Sequence, residues 1–352
     1  MAETVERRAR VERLLEAAQL LQNPATREGQ ALRRRLLETC GLSAAGIELG
    51  LARCLETHAA PEHLEDLLAW TPEATRAHVL LSGNVFVAAL RAIAIGIAAS
   101  RRVQVRASRR DPALAEALHA LAPDLFELTS TLMPAPGEHF WAYGSDATLA
   151  ELRASLPQGV WFHAHGSGIG AVVVDAAAST DIGAAARAVA LDTALFDQRG
   201  CLSPRVVCVL GSQLQARAFG QVLASQLSSL DRELPPGPHS AEDAAERRKN
   251  RDAAAYAFEL FDAGTGWVSL APQVVAPPAD RTLHVSWTSD AAVALSPFAL
   301  HLTCIATNTL DLREALRLAF PGARLVDLGD MQRPALDGPV DHRPSSLGRL
   351  IT

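Results

Sequence analysis

Two rhythms of apolar and polar positions divide the chain. Residues 3–58 carry Leu and Ala at helical spacing among Arg and Glu, which predicts a run of amphipathic helices. Near Ala77 the rhythm shortens. His78 to Leu81 predicts a buried strand, Ser82-Gly83-Asn84 a turn, and Val85 to Ser100 a helix. Val103 to Val105 predicts the next strand, and Asp111-Pro112 opens a helix to Leu121. Strands are expected at Phe126–Thr129, Phe140–Tyr143, Val160–His163 and Ala171–Val174, with helices at Ala147–Ser155 and Asp181–Leu195. Such alternation implies right-handed βαβ units and a parallel sheet covered on both faces. The fold class is therefore α/β, with a Rossmann-like parallel-sheet half. Beyond Cys201 the pattern weakens: a strand at Val206–Leu210, a helix at Ser212–Leu230, and a charged helix from the Ser240 cap to Leu260. A helix at Leu310–Phe320 and a strand at Arg324–Leu328 close the series.

The 352 residues leave room for two domains and a sizeable core. A net charge of −6 gives no reason to expect nucleic acid as a partner. The N-terminal residues are charged and lack an apolar signal core. The longest apolar run, Val85 to Ala99, is broken by Arg91 and too short to span a bilayer, so it reads as a buried helix. Five scattered cysteines without ligand spacing read as reduced thiols of a cytoplasmic protein.

Chemistry concentrates at Phe196-Asp197-Gln198-Arg199-Gly200-Cys201-Leu202-Ser203-Pro204. A thiol at a helix-to-strand junction, with its own N–H beside the sulfur, suits covalent catalysis on an acyl group. A small buried residue is the alternative. Ligands of parallel sheets sit at the carboxyl ends of the strands. At the first end, Asn84 either caps the next helix or offers its amide to an oxyanion. At the second, Arg106, Ser108, Arg109 and Arg110 form either a solvated basic loop or a contact for a ribose 2′-phosphate, hence NADP. At the third, Gly144-Ser145 opens a helix whose N–H groups suit a pyrophosphate. His163 and His165 share a strand face but lack supporting carboxylates or thiols, so no metal is expected. His163 is a candidate proton shuttle.

These segments, with Met331-Gln332-Arg333-Pro334-Ala335-Leu336-Asp337, occur in an order that resembles the acyl-CoA reductase family of the bacterial luminescence (LuxC) type. That family is a branch of the aldehyde dehydrogenase superfamily, and the resemblance covers roughly residues 75–352. It implies an aldehyde dehydrogenase-like fold: an N-terminal helical segment (1–75), an NADP-binding domain (76–195), a smaller catalytic domain (196–322) and a C-terminal strand and tail (323–352) at an oligomer contact. It implies NADPH-dependent reduction of an acyl-CoA or acyl carrier thioester to an aldehyde, in a homodimer or larger assembly. Cys201 then matches the nucleophile, and Asn84 the oxyanion-holding amide. Arg106 and Ser108 match the ribose-side Lys and Ser, and Gly144-Ser145 the phosphate-side turn. The hydrolytic Glu position falls on His163. Gly166 matches a glycine of the following run, where the family's lysine is missing. Two other readings use the same residues: a cysteine acyltransferase or thioesterase without nucleotide, and a non-catalytic binder of acyl chains or a partner.

Overall fold

The computed structural model of the protein describes residues 2–179 and 181–340. Four helices lead: α1 (Ala2–Gln22), α2 (Arg27–Thr39), α3 (Ala44–Cys54) and α4 (Pro61–Trp70). Side chains start two of them, Thr26 accepting from the Gly29 N–H and Ser43 from the Gly46 N–H. Their apolar stripes, with Leu14, Leu32, Leu51 and Leu67 fully buried, enter one core with the first sheet.

That sheet follows from β1 (Ala77–Leu80), α5 (Ala88–Ala99), β2 (Val103–Arg106), α6 (Ala113–Leu121), β3 (Glu127–Leu128), β4 (His139–Tyr143), α7 (Asp146–Ser155) and β5 (Trp161–His165). All its strands run parallel in the order β3-β2-β1-β4-β5, the doubly wound arrangement that puts ligands at the carboxyl ends. Helix α5 is apolar all round and buried, as the sequence predicted. Its Arg91 is satisfied by the carbonyls of Pro334, Ala335 and Gly338 at 2.6–2.8 Å and by Glu56.

The second sheet is built from β6 (Ile169–Asp175), α8 (Ile182–Ala194), β7 (Pro204–Leu210), α9 (Gln213–Glu233), α10 (Ala241–Ala257), β8 (Glu259–Ala263), β9 (Gly266–Leu270) and β10 (Thr282–Thr288). Helix α11 (Ala291–Leu295), β11 (Leu302–Thr307), α12 (Leu310–Ala319) and β12 (Arg324–Asp327) complete it. Its order is β12-β11-β6-β7-β10-β9-β8, parallel except for the β8–β9 hairpin. Near-continuous apolar runs in β6 and β7 reflect burial on both faces.

Three expectations shift. The helix expected from Val85 begins at Ala88, because Phe86 and Val87 turn inward, Phe86 packing edge-on to Phe196 with centroids 5.7 Å apart. The helix expected to reach Leu260 ends at Ala257; Glu259–Ala263 pairs with β9 instead. Strand β6, expected within the cofactor half that ends at 195, pairs instead with β7 and β11 in the second sheet. Strand β12 lies at an edge of that sheet, and the last part of the tail, 341–352, lies outside the described residues. No helix among the described residues is long and apolar enough to cross a membrane.

Candidate active site

Just before Cys201, three consecutive non-glycine residues adopt left-handed backbone: Phe196 (φ 54°), Asp197 (φ 50°) and Gln198 (φ 60°). Each such residue costs on the order of 1 kcal/mol or more, so the surroundings must over-determine the turn. They do. The Gln198 amide donates to the carbonyls of Pro204 and Thr282, both at 2.6 Å, and accepts from the N–H groups of Asp280 and Thr282. The Asp197 carboxylate accepts from Arg281 at 2.7 Å and from the Gly237 N–H at 3.0 Å. Phe196 presses on Gly50 of α3, where a Cβ would stand 2.9 Å from its ring.

The chain after the turn is held equally firmly. The Cys201 carbonyl accepts from the Thr303 hydroxyl, and the Gln332 amide donates to Ser203 Oγ at 3.0 Å. Gln332 belongs to the late Met-Gln-x-Pro segment, so that segment braces the cysteine loop from the far end of the chain. Cys201 is the partly exposed thiol of the five. Burial pushes the thiols of Cys40 and Cys208 up to about 11 and that of Cys54 to about 12, so these stay protonated and unreactive.

Asn84 lies close to this loop. A Cβ on Gly200 would stand 3.2 Å from Val85 Cγ2, so the residues flanking Asn84 and Cys201 touch. Because α5 starts at Ala88 with Val87 at its cap position, Asn84 does not cap it. Its exposed side chain has no hydrogen bond among the described residues. The capping alternative is thereby excluded.

At the end of β2, Arg106 is half-buried and Arg109 exposed, and neither has an ion-pair partner among the described residues. Ser108 Oγ accepts from the Arg110 N–H at 3.2 Å and abuts Gly83. Unmatched cations at a strand's carboxyl end are placed to meet an anionic group of a ligand. The α7 end is built differently. Ser145 caps its own helix through the Thr148 N–H, and the Gly144 N–H donates to the His165 carbonyl. The Asp146 carboxylate accepts from the Ser167 N–H at 2.8 Å and fills the space a Cβ on Gly166 would need. A carboxylate thus already serves this helix start, a feature the sequence reading missed.

His163 stacks on Trp141 with centroids 4.5 Å apart, and its Nε2 shares a proton with His139 Nδ1 at 3.0 Å. Burial holds His139 below the usual imidazole range. Among the described residues no group of three or more His, Cys, Asp or Glu could hold a metal ion.

One buried acid lies behind the site. Asp192, 1% exposed, accepts from the Gly329 N–H at 2.9 Å, and burial pushes its carboxyl up to about 7. The fold therefore favours the protonated form over the unfolded chain's carboxylate. Its contribution is complete below the ordinary carboxylate pKa and is lost as pH rises through about 7, at about 1.4 kcal/mol per unit. Denaturant midpoints at about pH 5 and about pH 8 should therefore separate further in the parent than in Asp192→Asn, by an amount on the order of 2 kcal/mol. Parallel profiles would refute this role.

The comparisons agree with this architecture. Residues 127–341 match the family model described as acyl-CoA reductase (LuxC). An oxidoreductase from Marinobacter aquaeolei superposes with a TM-score of 0.70 at 12% identity, covering 93% of this chain and 79% of that one. An NAD-dependent benzaldehyde dehydrogenase from Corynebacterium glutamicum gives 0.69 at 14% identity, covering 93% and 83%. An aldehyde dehydrogenase from Brucella melitensis gives 0.69 at 14% identity, covering 91% and 76%. At such identities the likeness establishes the fold, which is aldehyde dehydrogenase-like. No curated protein matches the chain.

Proposed function

The chain belongs to the LuxC family of acyl-CoA reductases, and from that premise we propose that it reduces an acyl thioester to an aldehyde through a covalent thioester on Cys201. The observation carrying this reading is the partly exposed thiol on a rigid turn, packed against the turn that bears an uncommitted amide. The Cys201 thiolate attacks the thioester carbonyl, forming one C–S bond. As the tetrahedral centre collapses, the donor's C–S bond breaks and its thiol leaves. While negative charge sits on the former carbonyl oxygen, the Asn84 amide and the Cys201 N–H donate to it. A nicotinamide cofactor, NADPH in this reading, would supply the hydride needed to bring the acyl group to the aldehyde level. Expulsion of the aldehyde regenerates the Cys201 thiolate.

Arg106, Ser108 and Arg109 would hold the phosphorylated ribose, and the loops at Gly144-Ser145 and Gly166 would border the rest of the cofactor. His163, paired with His139, would pass a proton to the departing thiol. The test is loss of nicotinamide absorbance with a panel of acyl-CoAs. Oxidation of NADPH with release of aldehyde is the expected result; an inert enzyme, or hydrolysis without oxidation, overturns it. Asn84→Ala should lower kcat by about 10²-fold with little change in the melting temperature, because the side chain is exposed. An unchanged kcat would remove Asn84 from the oxyanion site.

A further inference from the structure

We propose that a basin beside the cysteine loop binds the phosphopantetheine arm of the acyl donor, with Arg110 and Arg248 gripping its phosphate. The proposal rests on the thioester reading above and names how the donor is recognised. The basin encloses about 600 Å³, within the range of small-molecule sites. Helix α10 forms one wall, the turn after α2 another, and Trp267 with Pro278 an apolar third.

Its place follows from two contacts. Asp197 and Arg199 line the basin, and Arg199 stands two residues before Cys201. At another side Arg110 lines it, and the Arg110 Cβ would lie 3.2 Å from a Cβ on Gly83, the neighbour of Asn84. The basin therefore adjoins the loops of both groups that act on the acyl carbon. In this proposal an extended arm seated there runs on toward Cys201.

The charges select a phosphate. Most lining acids are already matched: Asp197 by Arg281 and Arg199, Asp280 by Arg247, and Asp243 by the Ser240 N–H and hydroxyl. Arg199 and Arg251 are likewise engaged, Arg199 with the Cys40 and Gly41 carbonyls and Arg251 with Asp262. Arg110 and Arg248 have no ion-pair partner among the described residues, against one unmatched acid, Glu246. Two forked guanidiniums facing one space suit a phosphate monoester or diester. Asn250 and Trp267 offer an amide and an apolar surface of the kind the pantetheine chain needs.

Trp267 supplies a readout independent of turnover. Its fluorescence should respond to 4′-phosphopantetheine and to CoA, with pantetheine binding at least about tenfold more weakly. Arg248→Glu, an exposed change on α10, should weaken 4′-phosphopantetheine by about tenfold or more and leave the NADPH Kd and the circular dichroism melt unchanged. Trp267→Phe should remove the signal while calorimetry still detects binding of 4′-phosphopantetheine. Equal binding of pantetheine and its phosphate, no effect of Arg248→Glu, or displacement of the probe by NADPH overturns the proposal. CoA binding about tenfold tighter than 4′-phosphopantetheine assigns the arm to a nucleotide donor, and equal binding assigns it to a carrier protein. Phosphate-selective binding in a protein that oxidises no NADPH with any thioester sinks the reduction and leaves the basin standing. Turnover without phosphate selectivity does the reverse.

Discussion

Cys201→Ala should lower thioester reduction by about four orders of magnitude or more while the fold survives. The size follows from removing the atom that forms the covalent bond, since no other thiol can substitute. Cys40, Cys54 and Cys208 are buried with raised pKa values, and Cys304 is fully buried in the second sheet. The fold tolerates the change because Cys201 holds its loop through backbone, its carbonyl bonded to Thr303. Its partly exposed side chain leaves no large cavity. Cys201→Ser should be equally inert, because an alcohol stays un-ionised where a thiol gives thiolate. Turnover should be followed by nicotinamide absorbance and the acyl adduct by intact mass. An adduct on the parent and none on Cys201→Ala, with both signals lost together, supports covalent reduction. Undiminished turnover in Cys201→Ala sinks it. An adduct on the parent without NADPH oxidation redirects the reading to acyl transfer or thioester hydrolysis.

Much of the frame was legible because its elements announce themselves locally. The apolar runs of β1, β2, β4 and β6 and the Asp181 cap of α8 carry strong short-range signals, and the structure places elements there with shifts of a few residues. The hairpin β8–β9 was not seen. Leu260 and Phe261 continue the helical spacing of α10, and only pairing with β9 makes them strand. That β6 pairs in the second sheet was hidden for a similar reason, since sheet membership is a long-range property that β6 does not encode in its own residues. At the site, the cysteine segment and the Met331-Gln332 tail were visible as motifs, but their contact was not. Gln332 reaches Ser203 across a separation of 129 positions, which only the fold closes. The least legible part was the support under the cysteine loop. Arg281 follows a Pro-rich connection with nothing nearby to mark it, and its partners Asp197 and Asp231 lie 84 and 50 residues away in sequence.

That support carries the second large expected effect. Arg281 is 2% exposed and bridges Asp197 and Asp231, each at 2.7 Å, while also donating to the Leu234 carbonyl. Arg281→Ala would leave the Asp197 carboxylate buried without its main counter-charge. Losing one partner of such a pair costs about 3–5 kcal/mol, far more than a surface ion pair contributes. The loss should also reach the chemistry. Asp197 is the middle of three left-handed residues, and without Arg281 the strained turn has less to hold it four residues from Cys201. Arg281→Lys should recover only part of the stability, because one ammonium cannot reproduce the guanidinium's fork across two carboxylates. Denaturant midpoints would measure the stability, and kcat well below the midpoint would report on the turn. In a double-mutant cycle, Asp197→Asn in the Arg281→Ala background should cost far less than in the parent, since the unmatched charge is then gone. A loss of stability with kcat intact would make Arg281 a fold residue only. Midpoints within about 0.5 kcal/mol of the parent would show that the buried bridge contributes nothing that solvent cannot replace.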